Sequence, residues 1–117
     1  MIEIQVGKQT FPVRFDLGAW MEIDERFGSL DQMEADKTVK ARIACLAIFA
    51  RAGARYCGGE APTEEYLTKN LSPKALAQAN RQASRAFVAG MKREMAEDDD
   101  EDIDVVAEKL KKKEARA

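Results

Sequence analysis

Histidine is absent from this 117-residue chain. Its absence removes the commonest general base, the usual metal ligand and every Ser-His or Cys-His arrangement for nucleophilic catalysis. Cysteine is nearly absent too, with only Cys45 and Cys57. Both fall in one predicted helix, where a rise of about 1.5 Å per residue puts them about 18 Å apart, too far to bridge. A reducing, cytoplasmic setting follows as the expectation, with both cysteines read as core residues of the helix that carries them. Long apolar runs are missing as well. The longest, from Ile43 to Ala50, falls well short of the roughly 20 residues that span a bilayer. No charged, apolar and small-residue succession at the start reads as a secretory signal.

Charge is present in both signs but unevenly placed. Residues 1–96 carry 14 basic and 12 acidic side chains, and residues 97–117 carry 5 and 9. A nearly neutral body with an acidic tail lacks the clustered basic face that nucleic-acid binding needs. Two regions are therefore expected: a folded domain over 1–96, and an acidic linker with a short amphipathic, basic tail over 97–117. The length allows one domain with a modest core.

The first sixteen residues carry the clearest pattern. Ile2, Ile4 and Val6 alternate with Glu3 and Gln5, Gly7-Lys8 offers a two-residue turn, and Phe11, Val13 and Phe15 resume the period of two. Such a hairpin is too small to hold itself together in water and must lie on the helices behind it. Pro12 suits an outer strand, where its missing N–H does no harm.

Asp16 then reads as the N-cap of a helix over 17–27, with Leu17, Trp20, Met21, Ile23 and Phe27 as its apolar stripe and Gly28 as its terminator. Ser29 and Gln32 make a capping box for a short turn through Met33. A second helix spans about 37–56. Val39, Ile43, Leu46, Ala50 and Cys57 follow helical spacing there, while Cys45, Ile48 and Phe49 add apolar surface on other faces. A helix apolar on most sides is a central one. Gly58-Gly59 ends it. Thr63 caps a short third helix that ends near Leu71, its first turn carrying Glu64 and Glu65. Ser72-Pro73 starts a fourth that runs to about Ala96, with Leu76, Ala79, Ala83, Phe87, Met91 and Met95 as its buried stripe and Gly90 as a close helix contact.

Candidate chemistry is sparse. The acids from Glu97 to Asp104 lack the glycine and the fixed offsets of a calcium loop and read as a solvated linker. Gly7-Lys8 with Thr10 lacks the upstream glycine and the following helix of a phosphate loop. Glu60, Glu64 and Glu65 are accounted for by a helix start. No catalytic residue, metal ligand or cofactor site is expected. One feature is left over. Beyond the acidic linker, Ile103, Val106 and Leu110 form an apolar stripe at helical spacing, followed by Lys111-Lys112-Lys113. A stripe on a charged tether suits a segment that folds on meeting a partner. The alternatives are a helix that docks back on its own body, or a frayed end.

The run Ile4-Gln5-Val6-Gly7-Lys8 leads to Phe11-Pro12-Val13-Arg14-Phe15. A helix from Leu17 to Phe27 follows, with Ile23-Asp24-Glu25 before Gly28-Ser29. A long apolar helix comes next, and Thr63-Glu64-Glu65 starts another. This order resembles the tail assembly chaperones of long-tailed bacteriophages and prophages, over most of residues 1–95. The resemblance implies a non-enzymatic protein that binds tape-measure and tail-tube proteins in the bacterial host cytoplasm and is absent from the mature virion. It brings no family active residue. It also implies a longer form made by ribosomal frameshifting, for which the codons of Lys111-Lys112-Lys113 are a candidate site, the alternative being a basic cluster that complements a helix dipole. Self-association would give such a protein several contacts at once. The other classes are a small regulator whose acidic tail mimics nucleic acid, and a minor virion structural protein. The expected fold is α+β and mostly helical, an N-terminal two-stranded β-hairpin packed on about four α-helices with an acidic C-terminal tail.

Overall fold

The N-terminal alternation does produce a hairpin. In the computed structural model, which describes residues 1–96, β1 (Glu3–Val6) pairs antiparallel with β2 (Gln9–Pro12), Glu3 opposite Pro12 and Val6 opposite Gln9. Gly7 opens the turn at φ +61°, the left-handed region that a first central glycine supplies in tight hairpins. Five helices follow: α1 (Leu17–Phe27), α2 (Leu30–Ala35), α3 (Val39–Cys57), α4 (Glu64–Asn70) and α5 (Pro73–Ala96). The extra helix is α2, where the sequence indicated only a capped turn.

Each helix starts where a short polar side chain can satisfy free backbone N–H groups. Asp16 Oδ1 accepts from the Ala19 N–H at 2.9 Å, Ser29 Oγ from Gln32, Thr38 Oγ1 from Ala41, Thr63 Oγ1 from Tyr66 and Ser72 Oγ from Ala75. Gly28 at φ +99° and Gly58 at φ +81° close α1 and α3, each donating its N–H back to a carbonyl of the last turn.

The central position expected for the long apolar helix belongs to α3. It packs against α1, β2, α4 and α5, and eleven of its nineteen residues are buried. The chain leaving β2 is held between the two long helices. The Val13 N–H donates to Ile2 O at 2.9 Å and the Arg14 N–H to Phe49 O of α3 at 3.1 Å. Arg93 of α5 donates through Nη2 to Phe15 O at 2.7 Å. This crossing is possible because both helices present a glycine to it. A Cβ on Gly53 would stand 2.1 Å from Pro12 O, and one on Gly90 would stand 2.2 Å from Phe15 O. The close contact expected of Gly90 is thus with the hairpin's exit strand.

Phe15 is fully buried and joins the elements around it. Its ring lies 5.8 Å from Trp20 of α1, 5.7 Å from Phe49 of α3 and 4.7 Å from Phe87 of α5, centroid to centroid. Tilted aromatic pairs at these distances add to the apolar burial itself. Ile4 and Val6 of β1 are buried in the same core, with Leu46, Ile48 and Leu67.

Several stripe residues lie outside it. Leu17 and Met21 are exposed, at 60% and 65%, because α1 is covered only by α2 and α3 and turns Ala19 and Ile23 inward. At 3.6 residues per turn, Met21 points about 160° away from either of them. Val39 is likewise exposed in the first turn of α3, and Cys57 in its last. The reading of Cys57 as a core residue is therefore corrected. Phe11, in β2 opposite the buried Ile4, is half-buried and edge-on to Tyr66 at 6.0 Å.

Candidate protein-binding surface

Side chains that could carry chemistry are engaged in structural contacts. Glu22 of α1 accepts from Arg51 Nε at 2.7 Å and from Arg55 Nη1 at 3.2 Å. Arg14 lies 3.7 Å from Asp16 and stacks its guanidinium on the Tyr56 ring at 3.9 Å. These pairs stitch α1 and the exit strand to α3. Glu64 is paired with Arg26 and Glu65 with Lys69, consistent with a helix start. Among the described residues no buried side chain is polar or charged, and no three Cys, Asp or Glu residues converge as a metal site. Cys45 is half-buried. Burial, and secondarily the Asp36 carboxylate, push its thiol up to about 11, so it stays protonated near neutrality. Cys57 lies 3.3 Å from the Met1 sulfur at the surface.

A cleft of about 650 Å³ between β1 and α5 is lined largely by polar side chains, among them Glu3, Gln5, Gln82 and Arg85, while two other grooves are mainly apolar. A groove of about 590 Å³ runs between α2, α3 and α5. Met33, Cys45, Phe49, Phe87 and Val88 line it, and its rim carries Glu34, Asp36, Lys37, Arg42 and Arg81. A second groove, of about 540 Å³, lies where α4 crosses the beginnings of α3 and α5. Its apolar wall is Val39, Ile43, Leu67, Leu71, Pro73 and Leu76, flanked by Lys40, Glu64 and Glu65. An apolar floor with a charged rim is the usual anatomy of a protein-binding surface.

Sequence reasoning did not find these grooves: Val39 reads as part of the apolar stripe of its helix and Val88 is not singled out, yet both are exposed, at 62% and 52%. The rest of each floor is assembled from three helices and has no local signature. The expected contact residues Ile103, Val106 and Leu110, and the acidic run before them, lie outside the described residues. Among the described residues no helix is long and apolar enough to cross a membrane.

Compared with known proteins, the chain has no match among protein-family models, curated proteins or solved structures.

Proposed function

We propose that this chain is a tail assembly chaperone of a long-tailed bacteriophage or prophage. It would work in the bacterial host cytoplasm by reversible binding and leave before the virion is complete. Its partners are the tape-measure and tail-tube proteins, and no bond is made or broken. The observation that carries the proposal is the pair of open apolar grooves beside α3, since a chaperone of apolar helices needs such surface exposed in its free state. The hairpin and α1, whose residues carry the resemblance, line neither groove. Ile103, Val106 and Leu110 add a further apolar contact, and the acidic residues before them keep the complex soluble.

The test begins with the neighbouring genes, one of which the proposal expects to encode a tape-measure protein, and proceeds by co-expression with that product. The unaltered chain keeps that partner in the soluble fraction and co-purifies with it. A Val39→Lys/Val88→Lys chain changes only exposed positions, so its circular dichroism stays unchanged while partner recovery falls. Equal recovery would remove the grooves from the mechanism. Mass spectrometry of purified particles separates a chaperone, absent from them, from a structural subunit.

A further inference from the structure

We infer that the free edge of β1 is a docking site for an extended acidic peptide, which adds to the hairpin as a third strand over the cleft beside α5. The inference is independent of what the apolar grooves bind.

The register decides which backbone groups are available. The Val13 N–H donates to Ile2 O, and hydrogen-bonded pairs alternate along an antiparallel ladder. Ile4 is then bonded to Phe11 and Val6 to Gln9, while Glu3 and Gln5 turn their N–H and C=O groups away from β2. At the far edge of the hairpin α3 closes the exit from β2, where the Arg14 N–H is bonded to Phe49 O and Pro12 O packs on Gly53. The β1 edge is left open. Among the described residues, the backbone groups of Gln5 have no hydrogen-bond partner. Glu3 O is met by a side chain alone: Gln82 Nε2 of α5 donates to it at 3.2 Å, and Gln82 Oε1 accepts from Arg85 Nη1 at 3.3 Å. This side-chain amide, with one bond given and one accepted, stands where a peptide group of an added strand would stand. Unpaired edge groups of this kind are the template for strand addition.

Room and charge select the occupant. The cleft of about 650 Å³ lies along this edge, and the small side chains of Ala75 and Ala79 keep its α5 wall low. Its charged lining is Arg81, Arg85 and Glu3, so positive charge is in excess. Neither arginine is ion-paired among the described residues. They sit one helical turn apart, about 6 Å along α5. Alternate residues of a strand point to the same face and are spaced by about 6.7 Å. Acids at every second position of the peptide therefore match both arginines, while its backbone pairs with Glu3 and Gln5. The pairing supplies affinity and the arginines supply the choice of acidic sequence.

The probe is a fluorescein-labelled hexapeptide of alternating threonine and glutamate, whose binding to the full chain is followed by fluorescence anisotropy. Two further versions are N-methylated, one at the threonine amides and one at the glutamate amides. Only one of these sets faces β1 in an added strand, so one version binds like the parent peptide and the other does not bind. Arg81→Gln/Arg85→Gln changes exposed positions and weakens the parent peptide roughly 3- to 10-fold at low salt. Gln5→Pro removes an outward N–H that the hairpin does not use, and weakens it by about 3- to 10-fold as well. Circular dichroism and Trp20 fluorescence are the fold controls, and the arginine variant carries the test if the proline variant unfolds. Equal binding, or equal loss, of the two methylated peptides would show attraction without strand pairing and overturn the inference. Binding untouched by the arginine changes, or none at millimolar protein, would overturn it too. A dimer of the peptide-free chain that Gln5→Pro abolishes would place a second copy on the edge, with the same consequence.

Discussion

Gly53→Ala should be among the most damaging small substitutions in the molecule, although alanine is the better helix former. In an isolated helix the change would stabilise by about 1 kcal/mol. Here the added carbon would sit 2.1 Å from Pro12 O, 2.5 Å from Pro12 C and 3.0 Å from Val13 N, all backbone atoms. The exit strand would have to retreat by about 1 Å to restore ordinary contact. It is pinned against that movement by the Arg14 N–H on Phe49 O at 3.1 Å and by the Val13 N–H on Ile2 O at 2.9 Å. Losing the first bond leaves a partly buried donor unpaired, at about 1–3 kcal/mol. Displacing Val13 and Phe15 by such a gap forfeits a quarter to a half of their contact energy. The net expectation is about 2–4 kcal/mol of destabilisation. That lowers the melting temperature by roughly 10–25 °C in a domain of this size. Urea unfolding followed by the single tryptophan, Trp20, whose ring lies against Phe15, measures it directly. Gly59→Ala is the control, because nothing lies within 4 Å of its added carbon and its φ is negative; it should be neutral or slightly stabilising. Gly90→Ala, against Phe15 O at 2.2 Å, displaces the same strand, so the double variant should lose less than the sum of the singles. A Gly53→Ala protein as stable as its parent would refute the account of the exit strand as clamped between α3 and α5.

Two further outcomes follow from single side chains. Asp16 caps α1 and also faces Arg14 and Arg55, so Asp16→Ala should cost about 1–2 kcal/mol, read as a shifted urea midpoint at constant slope. Asp16→Asn keeps the cap and should cost only a few tenths, since exposed ion pairs contribute little; an equal loss in both variants would contradict that division. Cys45 keeps its proton up to about 11, against 9.0 for an ordinary thiol, through burial first and the Asp36 charge second. The folded state therefore holds a proton that the unfolded chain releases. This contribution to stability is whole below pH 9 and is lost as the pH climbs from 9 to 11. Urea midpoints measured across that window should fall more steeply for the parent than for Cys45→Ala, and alkylation of the folded Cys57→Ser protein should accelerate toward pH 11. Alkylation that levels off near pH 9 would show an ordinary thiol.

What could be read from the sequence was what short-range chemistry decides. Asp16, Gly28, Thr63 and Ser72-Pro73 mark helix ends because a cap acts on backbone three or four residues away, and the bounds of α1 and α5 came out as expected. The hairpin was legible because strand alternation is local too. Gly53 was not legible, since its role depends on a strand forty residues earlier crossing α3. The exposure of Leu17 and Met21 was missed for a related reason: a stripe tells which residues are apolar, while the neighbouring helices decide how much of it is covered. The groove floors join α2, α3 and α5, or α3, α4 and α5, and no local pattern in the sequence marked them.

The grooves follow from a mismatch of lengths. As a nineteen-residue helix, α3 is about 28 Å long and apolar on most sides. The two short helices beside it, α2 with six residues and α4 with seven, each run only about 10 Å. Between them and α5 they cannot cover the whole helix. One open stretch, at the half-buried Cys45, lies past the end of α2, and another, at the exposed Val39, lies beside α4. Val39 and Val88 keep the edges of these grooves apolar and exposed. A fold whose central helix outruns its own cover retains adhesive surface without being unstable, because Phe15 and the clamped strand hold the remaining elements together. Lengthening α2 by a turn with polar residues would shield the half-buried Cys45 from solvent, and it should abolish partner recovery while raising the melting temperature. A lengthened chain that still recovered its partner in full would show that binding uses other surface.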